Sequence, residues 1–284
     1  MEYHIVILLM YNVLTSGMKS VIILTQPRSG SSLLAGILHR LGVTMGPEED
    51  MIMSQHKNKF GSYEDQAWLK LSHNILYSAK RLMLYWKRFD ESDGKMEKTV
   101  NKYENEIVKL IRKSEKELWG FKEAVIIYIL PYFHQHFKNP YYIVLHRDSE
   151  SVANSQKRAG KLKNWIPEIK MEFSYFTFWK RIGLFLRTLR ATFTRGFIYR
   201  KKSFISKVTE DGHKRITEFV KDKKYLWIEL PEIIDYPEKT IEKIINFLEI
   251  TPTKEQKIDA LRFVHPELIT SDVNNTNNDQ INKE

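Results

Sequence analysis

The sequence predicts an α/β fold, a three-layer α/β/α sandwich with a parallel sheet, and three observations carry that prediction. Short, wholly apolar runs rich in β-branched residues recur along the chain. Stretches with apolar residues at helical spacing alternate with them, and 284 residues suffice for one large domain with a continuous core. Hydrophobic residues make up 42% of the chain and charged residues 28%, the mixture of a globular protein rather than a disordered or fibrous one.

The first run, Val21 to Thr25 (VIILT), ends in a Pro/Gly/Ser loop and reads as a buried strand. A helix is expected from Ser31 to Leu41, where Leu33, Leu34, Ile37 and Leu41 share a face and Gly42 stands where a helix C-cap glycine would. Two helical stretches follow, about Tyr63 to Tyr85 and Lys95 to Glu117, the second heavily charged. Leu118 to Phe121 and Tyr141 to Leu145 (YYIVL) read as further buried strands, each leading into a helix, and Tyr225 to Leu230 (YLWIEL) as a fourth. The last leads through a Pro-containing turn to an amphipathic helix from Pro237 to Leu248, with Ile241, Ile244, Ile245 and Leu248 on one face. Alternation of this kind calls for a parallel sheet covered on both sides.

The domain is bounded at about residues 18–271. Met18 stands directly before the first strand, so residues 1–17 read as an extension, either outside the fold or a small extra element; their apolar run from Ile5 to Leu14 is too short to span a membrane and lacks the basic start of a signal peptide. Residues 272–284 are expected to be disordered, since Asn274 to Glu284 holds almost no apolar side chain to offset its ordering entropy.

A formal charge of +10 and a pI near 9.4 point to an anionic partner: a nucleotide, a nucleic acid, a membrane surface or an acidic polymer. The absence of cysteine excludes disulfides, thiolate metal sites and a cysteine nucleophile, and makes the cytoplasm the default location.

Thr25-Gln26-Pro27-Arg28-Ser29-Gly30-Ser31-Ser32-Leu33 lies between a strand and a helix start, where free N–H groups and the helix dipole attract anions. Gly30 lets backbone approach a ligand, and Ser31 and Ser32 add hydroxyl donors. The loop differs twice from the magnesium-triphosphate loop G-x-x-x-x-G-K-[ST]: Thr25 stands at its first glycine and Ser31 at its lysine. Arg28 supplies the positive charge instead.

The run from Pro27 to Leu34 resembles the 5'-phosphosulfate loop of sulfotransferases that use 3'-phosphoadenosine-5'-phosphosulfate (PAPS), in the Pro-Arg-Ser-Gly form of the tyrosylprotein and bacterial enzymes. His146-Arg147-Asp148-Ser149 through Ser155, directly after YYIVL, resembles that family's 3'-phosphate motif, an arginine at a strand end with a serine eight residues on. Trp119-Gly120-Phe121-Lys122-Glu123-Ala124 is similar to its strand-end Lys-Asp-Pro segment, with Glu123 and Ala124 departing from it. Asn58 to Asp65 is similar to a Gly-Tyr-Phe-Glu-Asp run of the bacterial group. The four matches fall in the family's order.

The resemblance implies a P-loop NTPase-like sulfotransferase fold, PAPS as co-substrate, an acceptor hydroxyl or amine, no required metal and no nucleic-acid partner. It assigns Arg28, Ser29, Gly30, Ser31, Ser32 and Leu33 to the phosphosulfate and Arg147 and Ser155 to the 3'-phosphate. Arg28, Lys122 and Glu64 are the implied catalytic residues, with Glu64 as base and Asp65, Glu48, Glu49 and His56 as alternatives. A P-loop kinase or NTPase and a nucleotide-binding protein without catalysis are the competing functions.

Two further features have plain structural explanations. His134 and His136 face different ways on a helix and lack a carboxylate at ligating spacing, so no metal site is expected. The aromatic and basic stretch from Phe173 to Lys202 fits an acceptor lid, a membrane-surface helix, or a core helix with a solvated face; the spacing of Phe178, Ile182 and Phe185 favours burial.

Overall fold

In the computed structural model residues 18–47, 61–79, 93–158, 175–186, 189 and 201–264 are described. The extension at residues 1–17, the tail at residues 272–284 and the candidate bases Glu48, Glu49 and His56 lie outside them. Four strands, β1 (Lys19–Thr25), β2 (Leu118–Lys122), β3 (Pro140–His146) and β4 (Tyr225–Glu229), form a wholly parallel sheet in the order β2-β1-β3-β4. Among the described residues the α-helical segments that accompany it are α1 (Ser31–Arg40), α2 (Gln66–Ser78), α3 (Asp93–Lys102), α4 (Glu104–Ser114), α5 (Ser149–Arg158), α6 (178–186), α7 (Lys202–Val220), α8 (Leu230–Asp235), α9 (Pro237–Leu248) and α10 (Lys254–Arg262).

Successive strand residues point to opposite faces, and here both faces are apolar, so each strand feeds two cores. On one face Ile22, Leu24, Trp119, Phe121, Tyr142 and Val144 pack with residues of α2, α3, α4 and α7. On the other, Val21, Ile23, Tyr141, Ile143, Leu145 and Ile228 meet α1, α8, α9 and α10. The predicted three-layer α/β/α sandwich is what the chain forms.

The strand order also fixes where a ligand can sit. The chain leaves β1 toward β2 on one side and leaves β3 toward β4 on the other. The carboxyl ends of β1 and β3 therefore flank the topological switch point, the crevice that open α/β sheets use for ligands. Thr25 pairs with Leu145 at these ends, so the loops that follow begin level with each other.

The structure corrects four expectations. Strand β2 leads into three short 3-10 turns, Ile126–Tyr128, Leu130–Tyr132 and His134–His136, rather than a helix. Every residue from Val125 to Leu130 is buried, so the segment has no polar face for an amphipathic helix, and Pro131 interrupts it. The charged stretch is two helices, broken at Tyr103, whose hydroxyl meets Ser78 at 2.9 Å. Leu230 starts α8 instead of ending β4, because Glu229 and Glu232 form a capping box and Pro231 sits in the first turn. Phe178, Ile182 and Phe185 are not core: they are 66%, 39% and 52% exposed, because α6 rests on the protein through its other side.

Candidate functional site

The loop after β1 turns sharply. Arg28 has φ 70 and Gly30 φ 84, two left-handed residues within three positions. At Gly30 a side chain is excluded twice, since left-handed backbone disfavours it and a Cβ would lie 2.5 Å from Leu230 Cδ1. Gly30 caps α1 without a side-chain hydrogen bond, and its carbonyl accepts the N–H groups of Leu33 at 2.9 Å and Leu34 at 3.3 Å. The N–H groups of Gly30, Ser31 and Ser32 then have no intrahelical acceptor, as at any helix start. Leu33, by contrast, has committed its N–H to Gly30 and buries its side chain in the core. Ser29 is fully buried, with its N–H on the Gln26 carbonyl at 3.2 Å.

The loop after β3 reaches the same place. Arg147, 6% exposed, donates from Nη1 to the Arg28 carbonyl oxygen at 3.0 Å. Arg28 in turn donates from Nε to Ser155 Oγ at 3.3 Å, across 127 positions of sequence. Ser155 sits on α5 because Asp148 caps that helix, its Oδ1 accepting the Ser151 N–H at 2.8 Å. Partial burial works against the Asp148 charge, but the Ser151 hydroxyl and N–H and the Arg147 guanidinium outweigh it and hold its pKa below the usual value. Beside this loop, His146 Nδ1 lies 2.6 Å from Glu229 Oε2, tying the ends of β3 and β4 together.

A second cluster lies on the β2 side of the loop. Lys122 ends β2 with its side chain buried; its Nζ donates to Ser32 Oγ at 3.2 Å and pairs with Glu64 Oε1 at 3.0 Å. Glu64 is 25% exposed, enough to meet a molecule arriving from solvent. Its position is set by Tyr63, which is 2% exposed with φ 54 and accepts from Arg40 Nη1 at 3.0 Å. Asp65 caps α2, accepting the N–H groups of Ala67 at 2.7 Å and Trp68 at 3.2 Å. Helix α2 thus begins at Gln66, not at Glu64, and Glu64 is left free of the helix to face Lys122.

Arg28, Arg147 and Ser155 therefore form one group, and Ser32, Lys122 and Glu64 a second, joined through the start of α1. Two residues beside them have a chemistry that the sequence does not announce. Glu123 is 1% exposed, and burial pushes its pKa up to about 8 against the opposing hydrogen bond from Ser72, with Glu64 raising it further and Lys122 and the Val125 backbone N–H lowering it. Burial thus favours its protonated form, and among the described residues Glu64 is the carboxylate that pairs with Lys122. A carboxylate entering an apolar run, Glu123-Ala124-Val125-Ile126-Ile127, was the available signal. His73 on α2 is held neutral, its pKa lowered to about 4 by burial despite the raising effect of Glu64. A lone histidine in a helix carries no such signal.

The other histidine pair is placed away from this site. His136 Nε2 lies 3.0 Å from Glu104 Oε1, and His134 stands edge-on to Phe219. Among the described residues no group of three or more His, Cys, Asp or Glu side chains could hold a metal ion.

No protein-family model and no curated protein matches the chain. Solved structures do resemble it. The sulfotransferase domain of the Synechococcus PCC 7002 olefin synthase is 18% identical, with 89% of this chain and 83% of that one covered at a TM-score of 0.46. The sulfotransferase domain of the curacin biosynthetic pathway is 16% identical over 90% of this chain and 81% of that one, with a TM-score of 0.49. A sulfotransferase of Mycobacterium avium is 14% identical over 93% and 72%, with a TM-score of 0.44.

Proposed function

We propose that this chain transfers a sulfuryl group from PAPS to a hydroxyl or amine acceptor and releases adenosine 3',5'-bisphosphate. The observation that carries this reading is the junction of two loops: Arg147 bonds the Arg28 carbonyl at 3.0 Å and Arg28 bonds Ser155 at 3.3 Å. Two anion-binding groups on separate strand ends suit a nucleotide with phosphate at both its 5' and 3' positions. A magnesium triphosphate would need a lysine where Ser31 stands.

In this reading the N–H groups of Gly30, Ser31 and Ser32, with Arg28, hold the 5'-phosphosulfate, and Arg147 and Ser155 hold the 3'-phosphate. PAPS supplies the activated sulfuryl group. Glu64 takes the proton of the acceptor as its oxygen or nitrogen bonds to sulfur, and the bond from sulfur to the 5'-phosphate oxygen breaks. Arg28 and Lys122 stabilise the negative charge that collects on the departing phosphate. The Lys122 contacts to both Ser32 and Glu64 support this division, because one ammonium then touches the donor cradle and the base. Tyr63 and Arg40 act as positioning residues for Glu64.

The test is transfer of sulfur-35 from labelled PAPS into a panel of carbohydrate, lipid, tyrosyl-peptide and small-alcohol acceptors. Native protein should label at least one class, and Arg28→Ala should lower that transfer by about 100-fold or more. Equal transfer by Arg28→Ala contradicts the assignment. Magnesium-dependent hydrolysis of ATP or GTP would instead favour the NTPase, and tight PAPS binding without transfer to any acceptor would favour a binding protein.

A further inference from the structure

Helix α6 wears its apolar face outward. Phe178 is 66% exposed, Trp179 79%, Phe185 52% and Leu186 58%, and Ile182 and Leu189 are exposed beside them. At 100° per residue these six positions fall within a stripe about 120° wide. The opposite side does the anchoring. Leu184 is buried, Gly183 lies so close to Tyr77 that a Cβ would be 2.3 Å from its hydroxyl, and Lys180 Nζ donates to Asn74 Oδ1 at 2.8 Å. Asn74 Nδ2 also holds the Tyr175 carbonyl at 3.2 Å, so the segment is fixed on α2 with its aromatic stripe facing away. Soluble helices show the reverse pattern, and a contiguous exposed patch of this kind marks a contact surface.

The charge of the sequence that flanks the patch selects what covers it. From Phe173 to Thr209 the sequence holds nine Lys and Arg residues and no Asp or Glu. A second copy of the chain would bring the same cationic segment against itself across a two-fold axis, where like charges repel. An anionic polymer would suit the charge but leave Ile182, Leu186 and Leu189 without an apolar partner. Aromatic and aliphatic side chains on one face with arginine and lysine alongside are what a helix lying in a bilayer interface requires. No described helix is long and apolar enough to cross a membrane, so such contact would be peripheral.

We propose that α6 docks this protein onto the surface of a bilayer containing anionic lipids, its Phe178, Trp179, Ile182, Phe185 and Leu186 entering the interface and Arg181, exposed at the edge of the stripe, meeting headgroups. The experiment is co-sedimentation of the full chain with phosphatidylglycerol/phosphatidylcholine vesicles and with vesicles of phosphatidylcholine alone. Anionic vesicles should bind at least about tenfold more tightly, and raising the salt to about 0.5 M should weaken that binding. The double variant Trp179→Ser/Phe185→Ser should bind at least about tenfold less, with its thermal unfolding unchanged because both side chains face solvent. In the native sequence, lipids brominated along their acyl chains should quench tryptophan fluorescence, and Trp179→Phe should remove most of that quenching. Absence of binding to anionic vesicles, undiminished binding by the double variant, or quenching that survives in Trp179→Phe overturns the proposal. So does a concentration-dependent dimer that the double variant dissolves, since the face would then belong to a second copy.

Discussion

The loop after β1 and helix α6 are built in opposite ways. The loop is tied from every side: Arg147 holds its backbone, Ser155 its arginine, Leu230 its glycine, and Lys122 the serine at the start of α1. Helix α6 is tied to α2 along one side and, among the described residues, turns its largest side chains to solvent. The difference separates two kinds of recognition. A small ligand with anionic groups at two ends needs hydrogen-bond donors fixed in place before it arrives, whereas an extended partner needs area, which one exposed helix face provides.

The largest effect that would sharpen this contrast comes from Lys122. In Lys122→Ala, turnover should fall by about 100-fold or more while PAPS affinity changes by less than about tenfold, because the ammonium is asked to act mainly as charge develops on the leaving phosphate. Loss of affinity with normal turnover would make Lys122 part of the binding cradle alone.

Glu123 comes next, buried beside Lys122 and Ser72 of α2. Its folded pKa of about 8 lies above the ordinary 4.5, so below pH 4.5 both the folded and unfolded states hold the proton and stability is unaffected by it. Between these values the unfolded chain releases the proton while the folded one keeps it, and stability is lost as pH rises toward 8. Glu123→Gln should remove that slope and leave the variant more stable than the native protein at pH 8, by something on the order of a few kcal/mol in chemical denaturation. Parallel stability profiles for the two proteins would mean that Glu123 is ionised in the fold.

The smallest effect concerns the helix that carries α6. Asp65→Ala removes the α2 cap and should cost about 1 kcal/mol of unfolding free energy. Turnover should change less than in Glu64→Ala, in which the carboxylate facing Lys122 is itself removed. Equal losses from the two variants would point to Asp65 rather than Glu64 as the base.

What could be read in the sequence follows the same division. VIILT and YYIVL announce buried strands because parallel sheets are apolar on both faces, and the helix after Gly30 declares itself by its periodicity. Arg28 and Arg147 stand out in the sequence as a cation within a Ser/Gly loop and an arginine at a strand end, and the structure brings those two loops into contact. The contact between Arg28 and Ser155 spans 127 positions and joins two separate motifs, so no spacing within either one records it. Glu123 and His73 were missed because their chemistry comes from burial by distant elements, which no local pattern records. Helix α6 misled for a related reason: the spacing of Phe178, Ile182 and Phe185 establishes an apolar face but not whether the protein covers it.

The central claim is that the loops after β1 and β3 grip opposite ends of one nucleotide, and its most direct test is calorimetric titration of native protein and Arg147→Ala with adenosine 3',5'-bisphosphate and with 5'-AMP. The native protein should prefer the bisphosphate by roughly 30- to 100-fold, as charge-assisted bonds to one additional phosphate would give. In Arg147→Ala that preference should shrink to within a few-fold while 5'-AMP affinity is largely kept. Equal affinity of the native protein for both nucleotides, or a preference that survives in Arg147→Ala, would contradict the account.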